Sequence, residues 1–183
     1  MNAAPAAPIP QALLERAKHV RLMVFDVDGV LTDGRLWYGS DGESIKVFHA
    51  ADGHGLKMLA ASGVRIALLS GRRSAAVERR AAELGITQVL QGIDDKRPAF
   101  ERLLAQAELG ADSAGFMGDE LVDLPVMTRC RFACAPYEAP EFVRRHAHYV
   151  SRAPGGGGAV RELCELLMQA QGTLEARLAS YLA

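Results

Sequence analysis

A three-layer α/β fold, a doubly wound parallel sheet, is predicted on three observations. Apolar runs of strand length alternate with segments whose apolar residues recur at helical spacing, across short connections. The first such run, in VFDVDGVLTDG (residues 24–34), stops abruptly in two carboxylates one residue apart, Asp26 and Asp28, with Asp33 close behind. Ser70 and Asp119 likewise follow directly on later runs. In a parallel sheet such positions gather at the carboxyl edge, where ligands sit.

The elements follow in order. Residues 1–19 read as an N-terminal extension, Pro/Ala-rich at first, with a short helix over 11–20 leading into the domain at 20–172. Residues 21–25 (RLMVF) form a buried strand that Gly29 breaks. Residues 36–48 (LWYGSDGESIKVF) leave the alternation: aromatic or β-branched runs flank Ser40-Asp41-Gly42, a hairpin signal, so a β-hairpin flap over about 35–48 should stand above the site. Asp52 is placed to cap a helix over 52–62, and Gly63 to stop it. Residues 64–69 (VRIALL) form a second buried strand. Ser74 then caps a helix to Leu84 that Gly85 ends, and 87–90 is a short strand. Asp94 and Asp95 open a helix with Phe100, Leu103, Leu104 and Ala107 on one face. A strand over 114–117, a short helix over 120–127 and a strand over 131–135 complete the alternation. The glycine run at 155–158 reads as a flexible loop before a last helix near Ala159. Residues 173–183 form a tail whose Leu174, Leu178, Tyr181 and Leu182 make an apolar stripe at helical spacing.

Bulk properties narrow the function. At 183 residues the chain is long enough for one domain with a real core. Its 21 basic and 22 acidic residues leave no field that would draw nucleic acid or an anionic membrane. No apolar run approaches the ~20 residues that cross a bilayer. The opening MNAAPAAPIP has neither the basic nor the apolar region of a secretory signal. Cys130, Cys134 and Cys164 are odd in number and lack zinc-ligand spacing, so reduced thiols in a cytoplasmic protein are expected.

Crowded carboxylates at a strand end repel one another. Either they form a solvated turn, or a hard divalent cation cancels their charge. The residues in chain order favour the second. Asp26 can attack phosphorus and become an aspartyl phosphate. Asp28 is placed to protonate the leaving alkoxide and then to take a proton from water. Asp119 can share Mg²⁺ with Asp26 and the backbone carbonyl of Asp28. Ser70 offers a hydroxyl, and the backbone N–H groups at Gly71 and Arg72 can hold phosphate oxygens. Lys96 can neutralise the charge that builds on Asp26. Taken singly, Ser70-Gly71 could end a strand and Lys96 could be a solvated lysine. Together they stand at the ends of consecutive elements in the order phosphoryl transfer requires.

The set DxDGV, S-G-R, K and GDxxxD resembles the four motifs of the haloacid dehalogenase superfamily of phosphohydrolases, from about Arg21 to the final helix. ADGHGLKML, QGIDDK, MGDELVDLPVM and PGGGGAVRELCELL narrow the resemblance to a capless, Mg²⁺-dependent, tetrameric subfamily that hydrolyses a keto-acid sugar phosphate of lipopolysaccharide biosynthesis. The resemblance implies Asp26 as nucleophile, Asp28 as acid/base, Ser70 and Lys96 as catalytic partners, and Asp119 as metal ligand with Asp123 behind it. It implies that His49, Ala50, Ala51, Asp52 and Gly53 line the sugar site, and that Lys57, Arg72 and Arg80 face the anionic substrate. Glu120, Ala51 and Gly157 depart from the subfamily's usual residues.

A phospho-aspartate receiver domain also has an acidic cluster, a hydroxyl residue and a lysine on a parallel sheet, but there the acceptor Asp follows the acidic pair on a later strand. Among enzymes, a phosphatase for another keto-acid sugar phosphate, such as a nonulosonate 9-phosphate, is the nearest alternative. No cap domain is expected, because the intervals 28–52 and 70–96 hold only the hairpin and one helix plus one strand. An uncapped site beside an apolar hairpin predicts self-association, as the implied homotetramer.

Overall fold

The computed structural model describes residues 9–40 and 44–182. Helix α1 (Gln11–Lys18) leads into strand β1 (Leu22–Phe25). Strands β2 (Trp37–Tyr38) and β3 (Ser44–Ile45) follow, then α2 (Ala50–Ala61), β4 (Arg65–Ser70), α3 (Ala75–Leu84) and β5 (Gln88–Gln91). The second half runs α4 (Lys96–Ala107), β6 (Ala114–Met117), α5 (Leu124–Met127), β7 (Phe132–Ala135), α6 (Glu141–Arg144), β8 (Tyr149–Val150), α7 (Ala159–Ala170) and α8 (Leu174–Ala179).

Six strands form one parallel sheet in the order β5-β4-β1-β6-β7-β8. The chain winds outward from β1 through β4 to β5, then returns to β6 on the other side of β1. That reversal opens a crevice between β1 and β6, with Phe25 in register with Met117.

Strand side chains alternate between two cores, as a pleated sheet covered on both faces requires. Met23, Phe25, Ile66, Leu68, Met117 and Phe132 pack under α1, α2, α3 and α7. Leu22, Val24, Ala67, Leu69, Phe116 and Ala133 pack under α4, α5 and α6. Ala17 of α1 is fully buried and Gln171 donates to the Val20 carbonyl at 2.9 Å, so the described part of residues 1–19 is packed onto the domain.

The element boundaries largely follow the sequence reading, with four differences. Helix α2 starts at Ala50 with His49 at its N-cap position, so Asp52 lies inside the first turn and its carboxylate is turned toward another helix. Residues 120–127 are a 3₁₀ turn over Leu121–Asp123 followed by the short α5. Helix α6 and strand β8 were too short for periodicity to reveal. The glycine run is not a free loop, since Gly155 is buried and Gly156 N–H donates to the Val30 carbonyl at 2.9 Å.

The hairpin forms as expected, with Trp37 opposite Ile45 and Tyr38 opposite Ser44; its turn residues 41–43 lie outside the described residues. Trp37, Tyr38, Ile45 and Val47 are all more than half exposed. In the tail, Leu174 packs on the core, whereas Leu178, Tyr181 and Leu182 remain exposed. The Tyr181 ring lies 5.4 Å from that of His54.

Candidate active site

The end of β1 places Asp26, whose N–H continues the ladder by donating to the Met117 carbonyl at 2.9 Å. Its Oδ1 accepts from the Val27 N–H at 2.7 Å and lies 3.0 Å from Lys96 Nζ. Lys96 is the first residue of α4, and that position aims its buried side chain into the crevice. Its ammonium also donates to Asp123 Oδ1 at 2.6 Å. Burial alone would lower the Lys96 pKa, but Asp26 and Asp123 outweigh it and raise the value, so the lysine is held charged.

Asp123 is fully buried and fully satisfied. Its Oδ2 accepts from the N–H groups of Asp119 and Glu120, each at 3.0 Å, in a capping box at the 3₁₀ turn. Asp119 differs: its buried Oδ1 finds no hydrogen-bond partner among the described residues. Burial, with the Asp26 and Asp123 charges behind it, pushes the Asp119 carboxyl up to about 8. Asp26 is raised to about 6, chiefly by burial and then by Asp123, against the pull of Lys96. An oxygen from each of these three carboxylates lies within 4.8 Å of the others.

A corner with three acids, one ammonium and an orphaned carboxylate oxygen fits a hard divalent cation, which takes oxygen donors and restores charge balance. Asp123 has both oxygens engaged, so the donors left are Asp26 and Asp119. The backbone of Gly29, in the left-handed region at φ 86°, runs directly beneath the Asp119 carboxylate, where any Cβ would overlap it.

The Asp28 carboxylate is not part of that cluster. It pairs through Oδ1 with the buried Lys46 ammonium, and its Oδ2 lies 4.0 Å from Arg72 Nε. Lys46 comes from the hairpin and was missed in the sequence; a lysine alternating with Ile45 and Val47 was its only signal. Ser70 is buried at the end of β4, and its Oγ accepts from the Arg72 N–H at 3.3 Å. Asp26, Asp28, Ser70, Gly71, Arg72, Lys96 and Asp119 line one cleft of about 410 Å³.

The other expected substrate residues lie apart from that cleft. His49, Asp52, Gly53 and Arg80 line a small apolar recess with Phe48 and Leu56. Ala50 and Arg80 border a shallow cleft of about 340 Å³ together with Lys46, Phe48 and Arg79. The Arg80 guanidinium lies 6.0 Å over the Phe48 ring and 3.3 Å from Glu83 Oε2. Lys57 is exposed and lines none of these cavities, and Ala51 lies beside them on α2. Lys46, which pairs with Asp28 and borders the shallow cleft, spans the two groups.

No protein-family model matches the chain. Individual relatives do. The chain is 40% identical over 168 residues to the 3-deoxy-D-manno-octulosonate 8-phosphate phosphatase of Yersinia pestis, covering 92% of this chain and 90% of that protein. The same enzyme from Moraxella catarrhalis, solved with magnesium, phosphate and the sugar acid KDO, superposes with a TM-score of 0.91 at 39% identity, covering 93% of this chain and 98% of the other. A cobalt-bound form from Haemophilus influenzae gives a TM-score of 0.88 at 38% identity, over 92% of this chain and 99% of the other.

Proposed function

The chain belongs to the 3-deoxy-D-manno-octulosonate 8-phosphate phosphatases of the haloacid dehalogenase superfamily, and on that premise we propose that it hydrolyses this sugar phosphate through a phosphorylated Asp26. The enzyme is a phosphoric monoester hydrolase with Mg²⁺ as its cofactor. The observation that carries the residue-level reading is the Lys96 bridge between Asp26 and Asp123, beside an Asp119 oxygen that has no hydrogen-bond partner among the described residues.

Asp26 supplies the attacking oxygen. As its bond to phosphorus forms, the bond from phosphorus to the sugar oxygen breaks, and Asp28 gives that oxygen a proton. Water then attacks the phosphorus of the acyl phosphate, Asp28 takes the water's proton, and Asp26 is regenerated as phosphate leaves. Lys96 stays charged beside Asp26 and offsets the negative charge gathering there. Ser70 and the N–H groups of the 70–72 turn orient the phosphate oxygens. Arg72, at the cleft mouth, meets the anionic substrate. Asp26, Asp119 and the Asp28 carbonyl would hold the metal, which when bound lowers the electrostatic barrier between an anionic nucleophile and an anionic phosphate.

Two further parts of the reading concern assembly and place. The enzyme is a homotetramer in which hairpins of neighbouring copies pair, an arrangement supported by the apolar surface that Trp37, Tyr38, Ile45 and Val47 leave exposed. It works in the cytoplasm, in keeping with three free, buried cysteines. No helix among the described residues is long and apolar enough to cross a membrane.

Phosphate release from a panel of sugar phosphates, with Mg²⁺ or with chelator, tests the function. The octulosonate 8-phosphate should be the best substrate and glucose 6-phosphate a poor one. Equal turnover of the two, or full turnover under chelation, contradicts the reading.

A further inference from the structure

The run Gly155–Gly158 and the buried Asp52 play no part in the chemistry above, yet the structure joins them to the catalytic loop. Asp52 is 1% exposed and lines no part of the phosphate cleft. Its Oδ1 accepts from the Arg161 N–H at 2.7 Å and its Oδ2 from the Gly158 N–H at 3.2 Å. These are free donors at the amino end of α7, so a residue of α2 caps a helix more than a hundred positions away. Glu162, in the first turn of α7, accepts from the N–H groups of Arg152 and Ala153, each at 3.1 Å by its Oε2, and from the Tyr149 hydroxyl. The segment between these two anchors is a strap fixed at both ends.

The strap lies on the loop that follows Asp28. Gly156 N–H donates to the Val30 carbonyl at 2.9 Å, and a Cβ at Gly155 would collide with the carbonyl oxygen of Gly29. Gly29 in turn runs beneath the carboxylate of Asp119, so tightly that a Cβ there would overlap it. A continuous stack therefore runs from Asp52 through α7 and the strap to Gly29 and Asp119. Glycines at 155 and 29 are what permit the layers to approach so closely.

We propose that Asp52 is a positioning residue for phosphoryl transfer: through the amino end of α7 and the 155–158 strap it presses the catalytic loop into place and sets Asp119 relative to Asp26. The proposal rests on the phosphatase reading and assigns Asp52 a role other than touching the sugar. Each of its oxygens already accepts from a backbone N–H at the amino end of α7, and the carboxylate is buried, 1% exposed.

Kinetics of Asp52→Ala and Asp52→Asn on the octulosonate phosphate and on p-nitrophenyl phosphate, together with thermal stabilisation by Mg²⁺, test the proposal. Loss of an outer-shell support of this kind costs about 10–100-fold in kcat or metal affinity. Asp52→Ala should lose about that much kcat on both substrates while KM changes less than about threefold, as removal of a transition-state effect requires. The Mg²⁺ concentration for half-maximal stabilisation should rise in parallel. Asp52→Asn keeps an oxygen for the Arg161 N–H and should restore part of both. If the alanine variant does not fold, the asparagine variant should still lose the same fraction of kcat on each substrate. A loss confined to the sugar phosphate and expressed in KM would make Asp52 a substrate contact and overturn the proposal. A lowered melting temperature with unchanged kcat and Mg²⁺ midpoint would overturn it too. Turnover of the aryl ester reads the strap even if the wild-type enzyme proves inactive on the octulosonate phosphate, so failure of the substrate assignment is separable from failure of the strap.

Discussion

The Lys96 ammonium lies 3.0 Å from Asp26 Oδ1, and both side chains are less than a tenth exposed. Water screens such a pair far less than a surface ion pair, so in the proposed mechanism the lysine charge bears strongly on Asp26. At about 4 Å and an effective dielectric of ~20, one unit charge is worth roughly 4 kcal/mol, or on the order of a thousandfold in rate. Lys96→Met should therefore lower kcat by about that factor, and should also lower the melting temperature by leaving Asp26 and Asp123 unpaired. Steady-state phosphate release on the folded variant checks this; a tenfold loss or less would remove Lys96 from the mechanism.

Asp26→Asn keeps the size of the side chain and its acceptor for the Val27 N–H while removing the nucleophilic charge. The variant should fold, bind phosphate and show no turnover above background. It should also melt no lower than wild type without metal, because one of three clustered carboxylates has lost its charge. Circular dichroism with a phosphate-release assay decides it, and turnover near the wild-type rate would exclude an aspartyl phosphate at this position.

The metal-free protein should lose stability as pH rises from about 4 through 8. Asp26 is raised to about 6 and Asp119 to about 8, both above the ordinary carboxylate range near 4. Between those values the folded chain holds more protons than the unfolded one, so raising the pH favours unfolding. Their contribution is complete at low pH and fades through the two folded values. Mg²⁺ should reverse the trend, stabilising more at pH 8 than at pH 5.5, since metal binding and protonation compete for the same oxygens. Melting curves in chelator and in Mg²⁺ across this range check it, and identical curves at the two pH values would refute it.

Trp37→Ser combined with Ile45→Ser removes apolar surface that one subunit leaves more than half exposed. Light scattering should then report a species smaller than the tetramer proposed for the wild type, with raised KM for the sugar phosphate. A wild-type protein that is a fully active monomer at micromolar concentration would dismiss both the assembly and this consequence.

Much of the candidate site is legible in the local sequence. A catalytic carboxylate that follows a buried strand must emerge at the carboxyl edge of a parallel sheet, so Asp26, Ser70 and Asp119 converge there. Lys96 was legible for a similar reason, because Asp94 and Asp95 mark where its helix must begin. The hairpin signal and the helix stops at Gly63 and Gly85 were also local, set by turn chemistry within a few residues.

Residues whose partners lie far along the chain carried no such signal. Asp52 has the sequence signature of a cap for its own helix, yet it caps α7, because the packing of α2 against α7 brings unsatisfied N–H groups within its reach. The glycine run reads as slack by composition, yet it packs as a strap, because Gly155 and Gly156 approach the backbone of Gly29, Thr32 and Asp33 too closely for a Cβ. Lys46 reads as one polar residue on a hairpin, yet it meets Asp28 from eighteen positions away. Periodicity and turn residues thus determined the layers, the sheet edge and which carboxylates, hydroxyl and lysine meet there, all of which depend on near neighbours. Tertiary structure alone decided what holds those groups in register, because an orphaned donor or a void is created only when distant elements meet.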